Sequence, residues 1–133
     1  MSSTTSLHSS TEVRVAVLAD DLIWSTRLTD ALQAVGAEPE PVRSLDGLAA
    51  ALPNVDRVIV DLTARAYDGV IAIETARAHG RPVLAVGQHD DHDLRRRALA
   101  AGADRVFAYR KLFEDGPKTL AAWLGVPAAE VPG

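Results

Sequence analysis

The chain lacks one residue type and several sequence patterns, and each absence narrows the range of possible folds and chemistries. It has no cysteine among 133 residues, which excludes disulfides, thiolate zinc sites and iron–sulfur clusters. Its 14 basic side chains are outnumbered by 18 acidic ones, so the chain has no general attraction to nucleic acid. No stretch approaches the roughly 18 uninterrupted apolar residues of a membrane span. We expect a soluble, cytoplasmic protein that neither inserts into a membrane nor binds nucleic acid directly.

The length fits one compact domain and is too short for a barrel of eight βα units. Residues 1–11 contain eight Ser or Thr and few large apolar side chains, so we predict a flexible N-terminal tail there. The ordered domain is predicted over residues 12–125, followed by a C-terminal tail over residues 126–133. The sequence shows no internal repeat and no second domain.

Short apolar runs of strand length alternate with segments of helical periodicity, five times in succession. This alternation predicts an α/β fold with a five-stranded parallel sheet and helices on both faces. Ser25 and Ser44 are predicted to cap the first two helices, and the signal Asp115–Pro117 is predicted to start the last one. The strand within Ala37–Arg43 contains Pro39 and Pro41 and is therefore predicted to be short and near a sheet edge. The predicted strands are Val13–Leu18, one within Ala37–Arg43, Arg57–Leu62, Pro82–Val86 and Arg105–Ala108.

Acidic residues stand at the ends of two of these predicted strands. Asp20 and Asp21 follow the first strand, and Asp61 ends the third. Because the carboxyl ends of parallel strands form the functional edge of such sheets, we expect the three carboxylates to share one crevice. Carboxylates held close together favour a bound cation, and oxygen ligands favour Mg²⁺ or Ca²⁺ over zinc. The alternative is that each aspartate caps a loop or a helix start independently.

The order and spacing of several short motifs resemble the receiver domain of bacterial response regulators, the phospho-acceptor module of two-component signalling. The resemblance runs from about Val13 to Leu124. It implies a flavodoxin-like, doubly wound sheet and a signalling module rather than an enzyme. The motifs that carry it are Asp20-Asp21, Asp61, Asp68-Gly69, Pro82-Val83-Leu84 and Ala101-Gly102-Ala103.

The resemblance also implies roles for individual residues. Asp61 corresponds to the phospho-acceptor of a phosphorelay. Asp21 corresponds to a Mg²⁺ ligand that Asp20 assists, and the backbone carbonyl of Thr63 completes the ligands from the protein. The implied partners are signalling proteins, such as a histidine kinase or a second copy of the chain in a homodimer.

Other positions depart from the receiver pattern. Gly87 stands where receivers usually have a Ser or Thr, and Tyr109 stands where they have a lysine. Val106 replaces the aromatic residue that moves with the hydroxyl, while Arg65 and Arg110 replace two prolines. Because charge-assisted hydrogen bonds contribute roughly 1.5 to 3 kcal/mol each, these losses weaken any response to a phosphoryl group.

Two nearby cations offer a substitute for the missing lysine. Lys111 would point the same way as Tyr109 if the fifth strand continued, because side chains alternate along a strand. Arg110 would face the other way. Alternatively, Lys111 has no role at the site and is a solvated loop residue.

Three functional hypotheses follow. The first is an atypical, stand-alone receiver-like signalling module that binds proteins and accepts phosphate at Asp61 with Mg²⁺. The second is a pseudo-receiver that never uses phosphate and serves as a scaffold for interaction or oligomerisation. The third is an enzyme or small-ligand binder of flavodoxin-like architecture, although no Gly-rich phosphate loop or nucleophile motif is present. A metal cluster at His89–Asp93 is a further alternative to a simple helix start there.

Overall fold

The computed structural model describes residues 13–115 and 117–125, which form five strands and six α-helices. The predicted tails over residues 1–11 and 126–133 lie outside the described residues, and the domain limits at 12 and 125 stay predictions. The strands are β1 (Arg14–Leu18), β2 (Glu38–Val42), β3 (Arg57–Asp61), β4 (Val83–Gly87) and β5 (Arg105–Ala108). The helices are α1 (Leu22–Ala34), α2 (Leu45–Ala51), α3 (Gly69–Ala78), α4 (His92–Ala101), α5 (Tyr109–Asp115) and α6 (Pro117–Leu124).

All five strands are parallel and lie in the order β2-β1-β3-β4-β5. The predicted five-stranded parallel sheet is therefore confirmed. β2 is an edge strand, as its two prolines predicted, because proline cannot donate to a ladder. The chain reverses its direction of winding between β1 and β3, so the carboxyl ends of these two strands lie side by side at the switch point.

Both faces of the sheet are covered, as a doubly wound fold requires. In β1, Ala16 and Leu18 pack into one hydrophobic cluster with α2 and α3, whereas Val15 and Val17 pack into a second cluster with α1 and α6. This alternation follows from the two-residue period of a strand. All four side chains are fully buried, which explains why the run has no polar residue.

The helix starts confirm one predicted cap and correct another. The Ser44 hydroxyl accepts a hydrogen bond from the amide of Gly47 at 3.0 Å, as expected of the α2 cap. The prediction that Ser25 caps the first helix was wrong, because α1 begins at Leu22, before Ser25, and Asp21 caps it. No helix in the described residues is long and apolar enough to cross a membrane.

The chain turns into helix α5 immediately after β5, and the sequence-based interpretation did not include this helix. Tyr109 and Leu112 are buried one helical turn apart, a spacing that would have indicated it. The hypothesis that Lys111 extends the strand beside Tyr109 was therefore wrong. Lys111 lies on α5, is largely exposed, and pairs with Asp115 at 3.4 Å.

Candidate functional site

The candidate site lies where β1 and β3 end next to each other. Asp61 is the last residue of β3, and Asp20 and Asp21 lie in the connection between β1 and α1. The switch point of the sheet thus brings together residues that are about 40 positions apart in the chain. The chemistry of the site depends on what each carboxylate contacts.

Asp20 holds two loops together. Its Oδ2 accepts hydrogen bonds from the amides of Arg65 and Ala66, at 3.1 and 3.0 Å. The guanidinium of Arg43 donates to the backbone carbonyl of Asp20 at 3.1 Å. Asp20 therefore ties the connection after β1 to the loop after β3.

Asp21 caps helix α1. Its Oδ1 accepts hydrogen bonds from the amides of Ile23 and Trp24, at 2.8 and 3.1 Å. These amides begin the helix and have no partner within it, so the carboxylate satisfies donors that would otherwise be unpaired. The interpretation of the acids as loop and helix caps thus describes the contacts that Asp20 and Asp21 make.

Asp61 is the only buried charged residue in the described part of the chain, with 0% of its surface exposed. Its Oδ1 accepts hydrogen bonds from the amide and the hydroxyl of Thr63, at 2.8 and 2.7 Å. Burial raises the pKa of Asp61; the bonds from Thr63 and the proximity of Tyr109 act in the opposite direction, and the charge of Asp20 raises it further. Asp61 therefore sits in surroundings that disfavour its ionised form.

Tyr109 lies beside Asp61 at the start of α5. Burial and the charge of Asp61 raise the pKa of the Tyr109 phenol, so the hydroxyl stays neutral. The two side chains are close enough to affect each other's pKa. Nevertheless, neither the Tyr109 hydroxyl nor Asp61 Oδ2 has a partner of hydrogen-bonding geometry among the described residues.

The ring of Tyr109 belongs to a group of three stacked aromatic residues, which we call the aromatic stack: Trp24, Tyr109 and Phe113. The Trp24 and Tyr109 ring centroids are 3.8 Å apart with an interplanar angle of 21°, and Phe113 lies 6.0 Å from each. The guanidinium of Arg27 lies over Trp24 at 5.4 Å. Trp24 is partly buried against the hydrophobic cluster of α1 and α6.

Tyr67 lies beneath the site and contacts the ends of both central strands. Its hydroxyl is 2.9 Å from the carbonyl oxygen of Leu18 and 2.8 Å from that of Asp61. One proton serves both acceptors, so the hydroxyl joins β1 and β3 at their carboxyl ends. The sequence analysis missed Tyr67, and no pattern around it would have identified this contact.

A cleft of about 330 Å³ opens at this edge, lined by Asp20, Asp21, Trp24, Thr63 and Arg65. Asp61 is not part of its lining. In the described residues no three Asp, Glu, His or Cys side chains come together to hold a metal ion. Asp20, Asp21 and Asp61 thus do not form one group of three carboxylates around a metal position in this arrangement, and the assignment of these residues and Thr63 as Mg²⁺ ligands stays a prediction.

The lack of a metal-binding group of side chains in the described residues also applies to the cluster at His89–Asp93. His89 and His92 are exposed, and Asp91 caps α4 by accepting from the amide of Leu94 at 3.1 Å. The helix-start interpretation of this segment is confirmed.

Gly87, which offers no side-chain hydroxyl, lies next to the apolar side chain of Leu62. A Cβ added to Gly87 would lie 3.4 Å from Cβ and 3.5 Å from Cδ1 of Leu62. Leu62 and Val106 are both buried in the cluster that includes α2 and α3. The end of β4 therefore borders the core at the place where receivers have a polar group.

Comparison with solved structures decides the fold. A response regulator receiver protein from Burkholderia phymatum is 26% identical, with a TM-score of 0.75 over 88% of this chain and 98% of that one. The chain has the fold of a receiver domain. A signal receiver domain of a DNA-binding response regulator from Colwellia psychrerythraea 34H matches at 20% identity and a TM-score of 0.74, covering 86% of this chain and 99% of that one.

A third receiver domain, described as CheY-like and from Methanospirillum hungatei JF-1, matches at 18% identity and a TM-score of 0.72. The match covers 86% of this chain and 92% of that one. No family model and no curated protein matches the chain by sequence. The resemblance inferred from the sequence motifs is thus confirmed at the level of the receiver fold.

Proposed function

We propose that this chain is a receiver-like signalling module, rather than an enzyme, which acts in the cytoplasm by binding another protein without phosphorylation of Asp61. The receiver fold supports the signalling role, since the similar structures are described as response regulators or their receiver domains. The complete burial of Asp61 carries the second half of the proposal.

Burial matters because phosphoryl transfer requires an approach to the attacking oxygen. The carboxylate must reach phosphorus in line with the leaving group, with a divalent ion that neutralises charge on both. Oδ1 of Asp61 already accepts two hydrogen bonds from Thr63, and Oδ2 is enclosed beside Tyr109. No phosphodonor reaches either oxygen in this conformation.

The residues that would respond to a phosphoryl group are also missing. Gly87 offers no hydroxyl, and the neutral phenol of Tyr109 replaces a cationic ammonium. A phenol donates one hydrogen bond, whereas a charge-assisted bond from lysine would contribute roughly 1.5 to 3 kcal/mol. A phosphoryl group on Asp61 would therefore do little to favour a second conformation.

A second candidate function is Mg²⁺-dependent phospho-acceptance at Asp61. It is favoured by the cleft, because Asp20 and Asp21 line it together with Thr63, the residue that contacts Asp61 directly. Magnesium would supply charge neutralisation there. This function requires Asp61 to turn toward the cleft.

The two candidates are separated by incubating the protein with acetyl phosphate and Mg²⁺ and measuring intact mass. We expect no added phosphoryl group on the wild type. Modification of the wild type that is lost in Asp61→Asn and kept in Asp68→Asn would instead establish phospho-acceptance. Asp68 is the matched control because it is an exposed aspartate seven residues away.

The binding half of the proposal is tested by calorimetric titration against purified histidine kinases and other signalling proteins from the same genome. For any protein that binds, we expect equal affinity for wild type and Asp61→Asn, with Mg²⁺ or with a chelator. A strong dependence on either would reject independence from Asp61.

A further inference from the structure

Three of the six aromatic residues in the chain stack on one another, and one of them, Tyr109, lies beside the buried carboxylate of Asp61. They come from two elements that are distant in sequence: Trp24 lies in the first turn of α1, and Tyr109 and Phe113 lie on α5. A third element, the β3 end, supplies Asp61. The arrangement thus depends on tertiary packing.

A series of contacts through two aromatic rings leads from the cleft toward Asp61. Trp24 lines the cleft, its ring stacks on Tyr109, and Tyr109 adjoins the carboxylate of Asp61. Tyr109 is 7% exposed and Asp61 is not exposed at all. On the other side of the carboxylate, Thr63 occupies Oδ1 with two hydrogen bonds. Asp61 Oδ2, which Thr63 leaves unpaired, is buried, and Tyr109 is near enough to influence the pKa of the carboxyl group.

The closed arrangement is held by some contacts and opposed by others. The face-to-face stack and the guanidinium of Arg27 over Trp24 favour it. Two buried oxygens without partners, the Tyr109 hydroxyl and Asp61 Oδ2, oppose it because both would gain hydrogen bonds in water. Ring packing thus contributes to holding the closed state.

We propose that Trp24 and Tyr109 form a lid that closes Asp61 to reagents and ligands, and that the Tyr109 ring must move before anything reaches Asp61. The lid concerns the same residue as the proposed function and explains why that residue is inaccessible. It does not depend on phosphoryl chemistry, so it can be tested separately.

The test is carboxyl labelling with a water-soluble carbodiimide and an amine, followed by trypsin and mass spectrometry. Cleavage after Arg57 and Arg65 gives the peptide 58–65, in which Asp61 is the sole side-chain carboxylate. The adjoining peptide 66–77 contains the exposed Asp68 as an internal reference. Each digest thus reports a covered and an open aspartate.

We expect wild-type Asp61 to stay unlabelled while Asp68 reacts. In Tyr109→Ala the labelling rate of Asp61 should rise about tenfold or more, because reaction of a buried group follows the fraction of molecules in which it is open. Tyr109→Phe keeps the ring and should behave as the wild type. Trp24→Ala should give an intermediate rate.

Trp123→Ala is the matched control for loss of an aromatic ring. Trp123 packs against the same hydrophobic cluster but lines a different cleft, so its removal should leave Asp61 unlabelled. Circular dichroism verifies folding, and Tyr109→Leu keeps apolar bulk without stacking if Tyr109→Ala does not fold. Labelling of wild-type Asp61 as fast as Asp68, or no labelling in a folded Tyr109→Ala or Tyr109→Leu variant, would overturn the lid.

Acetyl phosphate applied to the same variants distinguishes the lid from the function. If Tyr109→Ala exposes Asp61 to carbodiimide and also takes up phosphate, the lid is confirmed and is what blocks acceptance. If it exposes Asp61 but takes up none, the lid is confirmed and phospho-acceptance is rejected on other grounds.

Discussion

Replacing Asp61 with asparagine should stabilise this protein at neutral pH, although the residue lies at the centre of the candidate site. Asp61 is fully buried, and its Oδ2 has no hydrogen-bond partner. In Asp61→Asn the amide oxygen can still accept from Thr63. The amide nitrogen replaces Oδ2, so the variant places a neutral group where the wild type buries a charged oxygen without a partner.

The expected gain in unfolding free energy follows from the buried, unpaired Oδ2 of Asp61, which the variant removes. A buried polar group without a partner costs about 1–3 kcal/mol, and a neutral hydrogen bond contributes about 1 kcal/mol. We expect Asp61→Asn to gain about 1.5 kcal/mol of unfolding free energy on the same scale. With a urea slope of about 1.5 kcal/mol per M, the midpoint of unfolding would rise by about 1 M.

The sign of the pH dependence is fixed by the direction of the pKa shift. Burial raises the pKa of Asp61 above its ordinary value of 3.8, so the folded protein holds this proton to higher pH than the unfolded chain. The stability linked to Asp61 is complete below the unfolded pKa and is lost as pH rises through the folded pKa. The advantage of Asp61→Asn should therefore be small in acid and full at neutral pH.

Urea unfolding followed by circular dichroism, from about pH 4 to about pH 8, measures this difference. Asp68→Asn is the control, since Asp68 caps α3 through the amides of Val70 and Ile71 and asparagine caps equally well. It should be neutral or slightly destabilising at all pH values. A loss of stability in Asp61→Asn at neutral pH would refute the reasoning, because it would mean that the buried carboxylate is net favourable.

Three further substitutions test the contacts around the site by urea unfolding. Asp21→Ala should cost about 1 kcal/mol through loss of the α1 cap, whereas Asp21→Asn should cost little. Tyr67→Phe should cost about 1–3 kcal/mol, because two buried carbonyls at the strand ends, one of them that of Asp61, lose their donor. Gly87→Thr should cost about 1–3 kcal/mol, because a Cβ there already contacts Leu62 at 3.4 Å and threonine adds two further atoms beside this apolar side chain. An unchanged midpoint in any of the three destabilising variants would contradict the reasoning for that position.

The fold was predictable from the sequence because it depends on local patterns. Runs such as Val58–Val60 are uniformly apolar and bounded by polar residues, which is typical of a strand buried on both faces. The prolines of β2 predicted an edge position that the sheet order confirms. Helix α5 was missed because it is only seven residues long and follows β5 directly, so its periodicity is short.

The positions of the acids were predictable, but their surroundings were not. The rule that parallel strands end at one edge brought Asp20, Asp21 and Asp61 to the same switch point. Tyr109 lies beside the buried Asp61 and stacks on Trp24, and these side chains meet only through tertiary packing of α1 against α5. A contact between residues 85 positions apart leaves no trace in either local pattern.

Capping and metal binding are not exclusive for Asp20 and Asp21, which is why Asp61 decides between the two functions. Each of the first two residues commits one carboxylate oxygen to backbone amides, and the other makes no hydrogen bond within the described residues. A helix cap that lines a cleft can therefore also bind a cation. Asp61 differs, because one of its oxygens accepts two hydrogen bonds from Thr63 and the other is buried without a partner. Any activity that uses all three carboxylates must first break contacts at Asp61. The free energy needed to expose Asp61 therefore determines whether the three carboxylates function in phosphorylation or only in holding the loops together.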